Sequence, residues 1–288
     1  MVIKITLLLV FFAVMVGIGL YCRKHATDVN GFVLGGRSVG PWLTAFAYGT
    51  SYFSAVVFVG YAGQFGWKYG IAATWAGIGN ALLGSLLAWA VLGRRTRIMS
   101  QHLDSATMPE FFGKRFGSKS LKIAASVIIF IFLIPYTASL YNGLSRLFGM
   151  AFHIDYSLCV IVMAVLTGVY VIAGGYMATA INDFIQGIIM IFGICAVIAA
   201  VLHGQGGFMA ALEGLAQVQD PEVSQAPGVF ASFFGPDPLN LLGVVLLTSL
   251  GTWGLPQMVQ KFYAIKDEKA IDTGMVISTV FAALVAGG

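Results

Sequence analysis

Eight stretches of this chain, residues 5–22, 41–66, 69–93, 123–145, 156–173, 184–202, 238–260 and 273–288, contain no Asp, Glu, Lys or Arg and are dominated by apolar side chains. About 20 such residues in a helix span the hydrocarbon core of a bilayer, where every backbone amide and carbonyl needs a partner within the segment. Stretches of this length predict transmembrane helices, and their number predicts an all-α, polytopic membrane bundle occupying residues 1–288 as one domain. Only 10% of the residues are charged, against about a quarter in a soluble domain, which leaves too little polar surface to face water. The first stretch ends in CRKH without a small-residue cleavage pattern, so it reads as a retained helix rather than a signal peptide. The last is still apolar (AALVAGG) where the chain stops, which predicts a fragment of a longer protein.

Loop charge orients the bundle. With the N-terminus outside, thirteen of the sixteen Lys and Arg residues fall on the cytoplasmic side, leaving Lys4, Lys68 and Arg146 outside. Segment 203–237 has acids but no Lys or Arg and fits the outer face. The basic excess is therefore topological and predicts no nucleic-acid partner. Cys22, Cys159 and Cys195 lie in or beside apolar runs without paired spacing, which argues for packing rather than disulfides or zinc. In the long basic loop, Thr107 followed by Pro109 and Glu110 predicts a short capped helix. A second short helix is expected at about 207–218, with 219–237 irregular.

Two spans are unusual. The second holds Gly49, Thr50, Ser51 and Ser54 in its middle, and the seventh holds Gly251, Gly254 and Pro256 among Thr248, Ser249, Thr252, Trp253 and Gln257. Glycine weakens a helix and an internal proline removes a donor, while neighbouring hydroxyls can satisfy the backbone groups so freed. Small residues also serve close helix packing, so each span alone is ambiguous. Interrupted spans at corresponding places in two halves point to a transporter built from inverted repeats, with its site near the membrane middle between them. Asp183 is the one acid close to the interior of a span, about eight residues beyond the tight turn expected at Gly174–Gly175. An intramembrane acid generally faces a bundle interior or an aqueous path. It can also sit as a first-turn acid stabilised by the helix dipole, or pair with a nearby loop cation.

The stretches FVLGGRSVGPWLTAFAYGTSYFSAVVFVG, IAGGYMATAINDFIQG and GTWGLPQMVQKFYA together resemble the sodium:solute symporter family, along essentially the whole chain. The resemblance implies the leucine-transporter-type inverted-repeat fold with an extra N-terminal helix, truncated here in the second repeat. It also implies sodium as the coupling ion and a small organic solute, carboxylate or amino-acid-like, as the other cargo. By position it implies sodium binding through backbone carbonyls of Thr50 and Phe53, and solute contacts from Ser54, Ala55, Tyr136, Thr252, Trp253 and Pro256. It places Asp183 near the inner end of the sodium path. Relatives of the proline carrier have an acid two residues after the first of those carbonyls, where Tyr52 stands here. The stretches TSYFSAVVFVG, WKYG and INDFIQG look closer to the pantothenate-type branch.

Two other functions are open to a chain of this composition. A membrane enzyme finds little support, since His25, His102, His153 and His203 all fall in loops and there is no HExxH, GxSxG or paired-acid constellation. A transporter-like sensor fused to a signalling domain would be decided by the coding region beyond residue 288.

Overall fold

In the computed structural model, which describes residues 2–54 and 61–287, the described residues are predominantly helical and form no β-strand beyond two isolated bridges. Helix α1 runs Val2–Cys22. Helix α2, Val29–Leu34, is capped by Asp28, whose carboxylate accepts the Gly31 amide at 3.1 Å. Helix α3 starts at Pro41, where a missing amide hydrogen is no loss, and stops at Tyr52. Helix α4, Gly63–Tyr69, ends at Gly70, which takes a positive φ of 60°.

Helix α5, Thr74–Gly79, continues through π-helical turns at Asn80–Leu87 and Trp89–Gly93 into α6, Arg94–His102. The third span was expected to end at Gly93, yet the helix carries Arg94, Arg95 and Arg97 as well. The sequence RRTRIMSQH contains no glycine or proline to stop it. Asp104, with φ 45°, finally turns the chain.

Helix α7, Met108–Arg115, is the expected capped helix. The Thr107 hydroxyl accepts the Glu110 amide at 3.4 Å, and Glu110 returns to accept the Ala106 amide at 3.0 Å. Helix α8 spans Lys119–Phe152 and α9 spans Tyr156–Gly204. Two expected spans lie in α9, separated by Gly175, whose φ of 56° and ψ of −149° break the helix where the tight turn was expected. Both arms of α9 flank α1. Gly19 lies against Tyr170 and Gly174 of the first arm, and the Gln186 amide of the second reaches the Met15 sulfur at 3.6 Å.

Helix α10 is Phe208–Gln217, followed by irregular chain with one 3-10 turn at Val229–Ala231. Helix α11, Pro238–Leu250, passes through a 3-10 turn at Gly251–Gly254 and, after a 52° bend, into α12, Pro256–Ala264. Helix α13, Glu268–Ala286, closes the described chain. Among the described residues five helical stretches are long and apolar enough to cross a membrane, or six if the bent α11–α12 pair is one.

The main core joins α3, the π-helical stretch, α12 and α13 through Phe46, Tyr48, Tyr52, Trp89, Phe262 and Phe281. A second cluster ties Leu34 and Val39 to Tyr176, Val259 and Tyr263. Backbone bonds fasten the same place, from the Val39 amide to the Ala264 carbonyl at 3.2 Å and from the Lys266 amide to the Val39 carbonyl at 3.0 Å.

Candidate functional site

Helix α3 fails where its sequence is weakest. After Gly49, Thr50 and Ser51, Phe53 leaves helical geometry with φ −91° and ψ 64°, its amide still bonded to the Gly49 carbonyl at 2.8 Å. The Thr50 hydroxyl donates back to the Phe46 carbonyl at 2.9 Å. The last turn of a helix leaves carbonyls without intrahelical partners, and Thr50 lies in that turn. Helix α11 fails for a second reason. Pro256 forces Leu255 into an extended conformation, with φ −68° and ψ 127°, so the helix must restart at the proline.

The two failures meet. The Tyr52 hydroxyl, last residue of α3, donates to the Thr248 carbonyl of α11 at 2.7 Å and lies 3.1 Å from the Asn80 amide oxygen. The Ser249 hydroxyl donates to that same oxygen at 3.1 Å. The Trp253 indole donates to the Leu83 carbonyl at 3.0 Å, and the Tyr48 hydroxyl to the Gly84 carbonyl at 2.9 Å. Asn80, Leu83 and Gly84 all belong to the π-helical stretch, a local widening of the helix that recurs at functional sites. Two broken helices and one widened helix therefore share a polar knot inside an apolar bundle.

The second arm of α9 forms another wall. A side chain at Gly187 would run into Phe46 at 2.6 Å and Thr50 at 3.2 Å, so glycine is what lets α9 lie against α3. Asp183 stands four residues earlier, one helical turn or about 6 Å along the axis. Its carboxylate lies 3.5 Å from the Lys261 ammonium of α12. Lys261 is only 7% exposed and its ammonium sits 5.2 Å from the Tyr176 ring centroid. Of the roles open to Asp183, the structure shows pairing with a cation.

A family model of the sodium:solute symporter family matches residues 32–288. This chain belongs to that family. It is 31% identical over 287 residues to the osmoregulated proline transporter OpuE of Bacillus subtilis (strain 168), covering 96% of this chain and 56% of that protein. It is 33% identical over 271 residues to the sodium/proline symporter of Staphylococcus aureus (strain JH9), covering 91% of this chain and 50% of that protein. The chain thus spans about half the length of the curated relatives it matches. These relatives are transporters, not enzymes, and the chain is a multi-pass membrane protein.

The pantothenate-type affiliation is corrected by these relatives, which are named for proline. Short stretches such as INDFIQG follow the shared scaffold and do not separate its branches. Tyr52, where relatives of the proline carrier have an acid, has a structural role here. That side chain is occupied in joining the two broken helices.

Of the expected site residues, the structure brings Thr50 and Phe53 to one side of the knot and Thr252, Trp253 and Pro256 to the other. Ser54 follows Phe53 at the edge of the described segment, and Ala55 lies outside the described residues. Tyr136 is set apart, because α8 packs chiefly on α7 and α9. Tyr52, Asn80 and Lys261 were missed as site residues. Tyr52 and Asn80 left a faint signal as polar groups in uncharged spans, whereas Lys261 was counted as a loop cation.

Between α2 and α3, Arg37 donates to the carbonyls of Ser105 at 2.8 Å and Ser100 at 3.3 Å. Burial there lowers its guanidinium below the ordinary value. The Glu110 carboxyl is held below the usual carboxylate range, first by the Ala106 amide and further by Lys114.

Proposed function

We propose that the chain forms the sodium- and solute-binding part of a symporter that imports a small amino-acid-like carboxylate by alternating access. The observation that carries this is the meeting of two interrupted helices at Tyr52–Thr248, inside a family of sodium:solute symporters. Sodium is cargo here, and the residues suit it. The ligands proposed are the backbone carbonyls of Thr50, in the last turn of α3, and of Phe53 just beyond it, hard oxygen donors of the kind sodium takes. The solute lies beside them, against Ser54, Thr252, Trp253 and Pro256, with Ala55, outside the described residues, as the remaining contact the resemblance implies. No basic side chain stands among these residues, so a solute carboxylate is met by the amide end of α12, where Pro256 begins the helix. The curated relatives named for proline make a small amino acid of that kind the first solute to test.

The fold reading that goes with this has eight crossings, the two arms of α9 being the fifth and sixth and α3 with α4 the second. It places the N-terminus outside and the basic loops in the cytoplasm. Spans two to six form one repeat and α11–α12 opens its inverted counterpart, with α1 as an additional helix. Sodium at the α3 break favours the state open to the outside, and solute arrival permits closure.

The test is uptake of labelled proline, within a panel of amino acids and small carboxylates, by proteoliposomes holding the protein expressed from its complete coding sequence. Uptake should collapse when sodium is replaced by choline or potassium. Equal uptake in sodium-free buffer overturns sodium coupling, and no uptake of any amino acid overturns the solute class.

A further inference from the structure

We propose that Lys261 is a tethered substitute for the transported cation: its ammonium holds the Asp183 carboxylate while no sodium is there, and an arriving sodium displaces it. The proposal rests on the symporter reading above and adds a residue, and a regulation of the cation path, to it.

The geometry supports exchange rather than a fixed strut. The 3.5 Å separation lies within ion-pair range but beyond the 2.7–2.9 Å of a tight charge-assisted hydrogen bond. The partners are unequally enclosed, the Asp183 side chain being 24% exposed and that of Lys261 8%. An arriving cation would enter on the aspartate's side, the less enclosed of the two. Lysine is also the appropriate side chain, a compact monovalent charge on a flexible stem, where arginine would bring a fixed planar fork. The ammonium already lies 5.2 Å from the Tyr176 ring centroid, a contact that can keep it in place once the carboxylate is taken.

The position of the pair supplies the rest. Gly187, one turn from Asp183 on the same arm of α9, touches Thr50 at the α3 break. A cation leaving the carbonyls there meets Asp183 next. Lys261 belongs to α12, the restarted half of the second broken helix. Displacing it removes the ion pair between α12 and α9 and leaves their apolar contacts through Tyr176, Val259 and Tyr263, so that arrival of the ion loosens the hold on the broken helix. Two states biased by one ligand are what coupling requires.

The test needs no transport. The melting temperature of the purified full-length protein is titrated with sodium chloride against choline chloride at constant ionic strength, for the parent, Lys261→Gln, Lys261→Arg and the double variant Asp183→Asn/Lys261→Gln. Removing a built-in competitor raises apparent affinity, so Lys261→Gln should reach half of its sodium shift at a concentration lower by about tenfold than the parent. Lys261→Arg keeps a competing cation at the carboxylate and should not lower the midpoint, and the double variant should lose the new low-concentration response. A parental midpoint in Lys261→Gln overturns the proposal. So does failure of Lys261→Gln to accumulate in sodium medium where the double variant accumulates, because sodium would then not replace the ammonium. The symporter reading fails separately, if parental uptake proves independent of sodium. If uptake is sodium-dependent and the Lys261→Gln midpoint is parental, only the role of Lys261 falls.

Discussion

Helix α8 and the continuous run from α5 to α6 have similar apolar composition and opposite surroundings. Both are long and apolar enough to cross a membrane. On α8, Phe130 and Phe132 are about 70% and 69% exposed among the described residues. On the other run Trp89 is fully buried, against Tyr48, Phe262 and Gly274. The difference lies in the small and polar residues between the large ones. Gly77, Gly79 and Gly84 admit α13, α11 and Tyr52 into contact, and Asn80 and Ser85 find partners across those contacts. Hydropathy reports that a helix suits a membrane, whereas glycine spacing reports which helix has neighbours.

The strongest way to break that comparison is to close one of the close approaches. Gly187→Leu should overpack α9 against Phe46 and Thr50, costing about 1–3 kcal/mol, and should abolish sodium-dependent uptake in proteoliposomes. Gly193→Leu on the same arm is the control, because an added side chain there meets open space. It should melt at or slightly above the parental temperature, since leucine is the better helix former. Equal loss in both variants would mean that α9 is generally intolerant and that the contact with α3 has no special weight.

A smaller effect should follow from the polar knot. Tyr52→Phe keeps the ring but removes the donor to Thr248 and leaves buried acceptors less satisfied, a loss of about 1–3 kcal/mol. Thermal unfolding and uptake should both fall. Tyr136→Phe, on the exposed helix, should leave both within twofold of the parent, and a large loss there would bring α8 back into the solute site.

Much of this was legible in the sequence because the signals were local. The break after Gly49–Thr50–Ser51, the bend at Pro256, the turn at Gly175 and the cap at Thr107 each depend on residues within one turn of the event. What escaped depends on partners far apart in the chain. The π-helical widening has no local breaker to announce it. Tyr52 meets Thr248 across 196 residues, and Asp183 meets Lys261 only because both arms of α9 and the restarted α12 converge. Loop charge counted Lys261 as a surface cation for the same reason: a charge beside an apolar run reads alike whether it points out or in.

The smallest effect concerns how the exposed helix α8 is held from its end. Helix α7 lies against it, with Gly113 close to the Lys122 side chain, and α7 in turn depends on its cap. Thr107→Ala should cost about 1 kcal/mol of that local structure. Glu110 adds a pH dependence whose sign is fixed by its depressed carboxyl. The contribution is fully present above the ordinary carboxylate range and is lost as pH falls through the lowered native value. Hydrogen exchange at the Ala106 amide, bonded to Glu110 at 3.0 Å, should therefore show protection at pH 7 and 5 that disappears in stronger acid. Glu110→Gln should flatten that profile while leaving uptake at neutral pH unchanged. If protection is instead independent of pH in the parent, the packing of α7 on α8 holds this end without help from the cap.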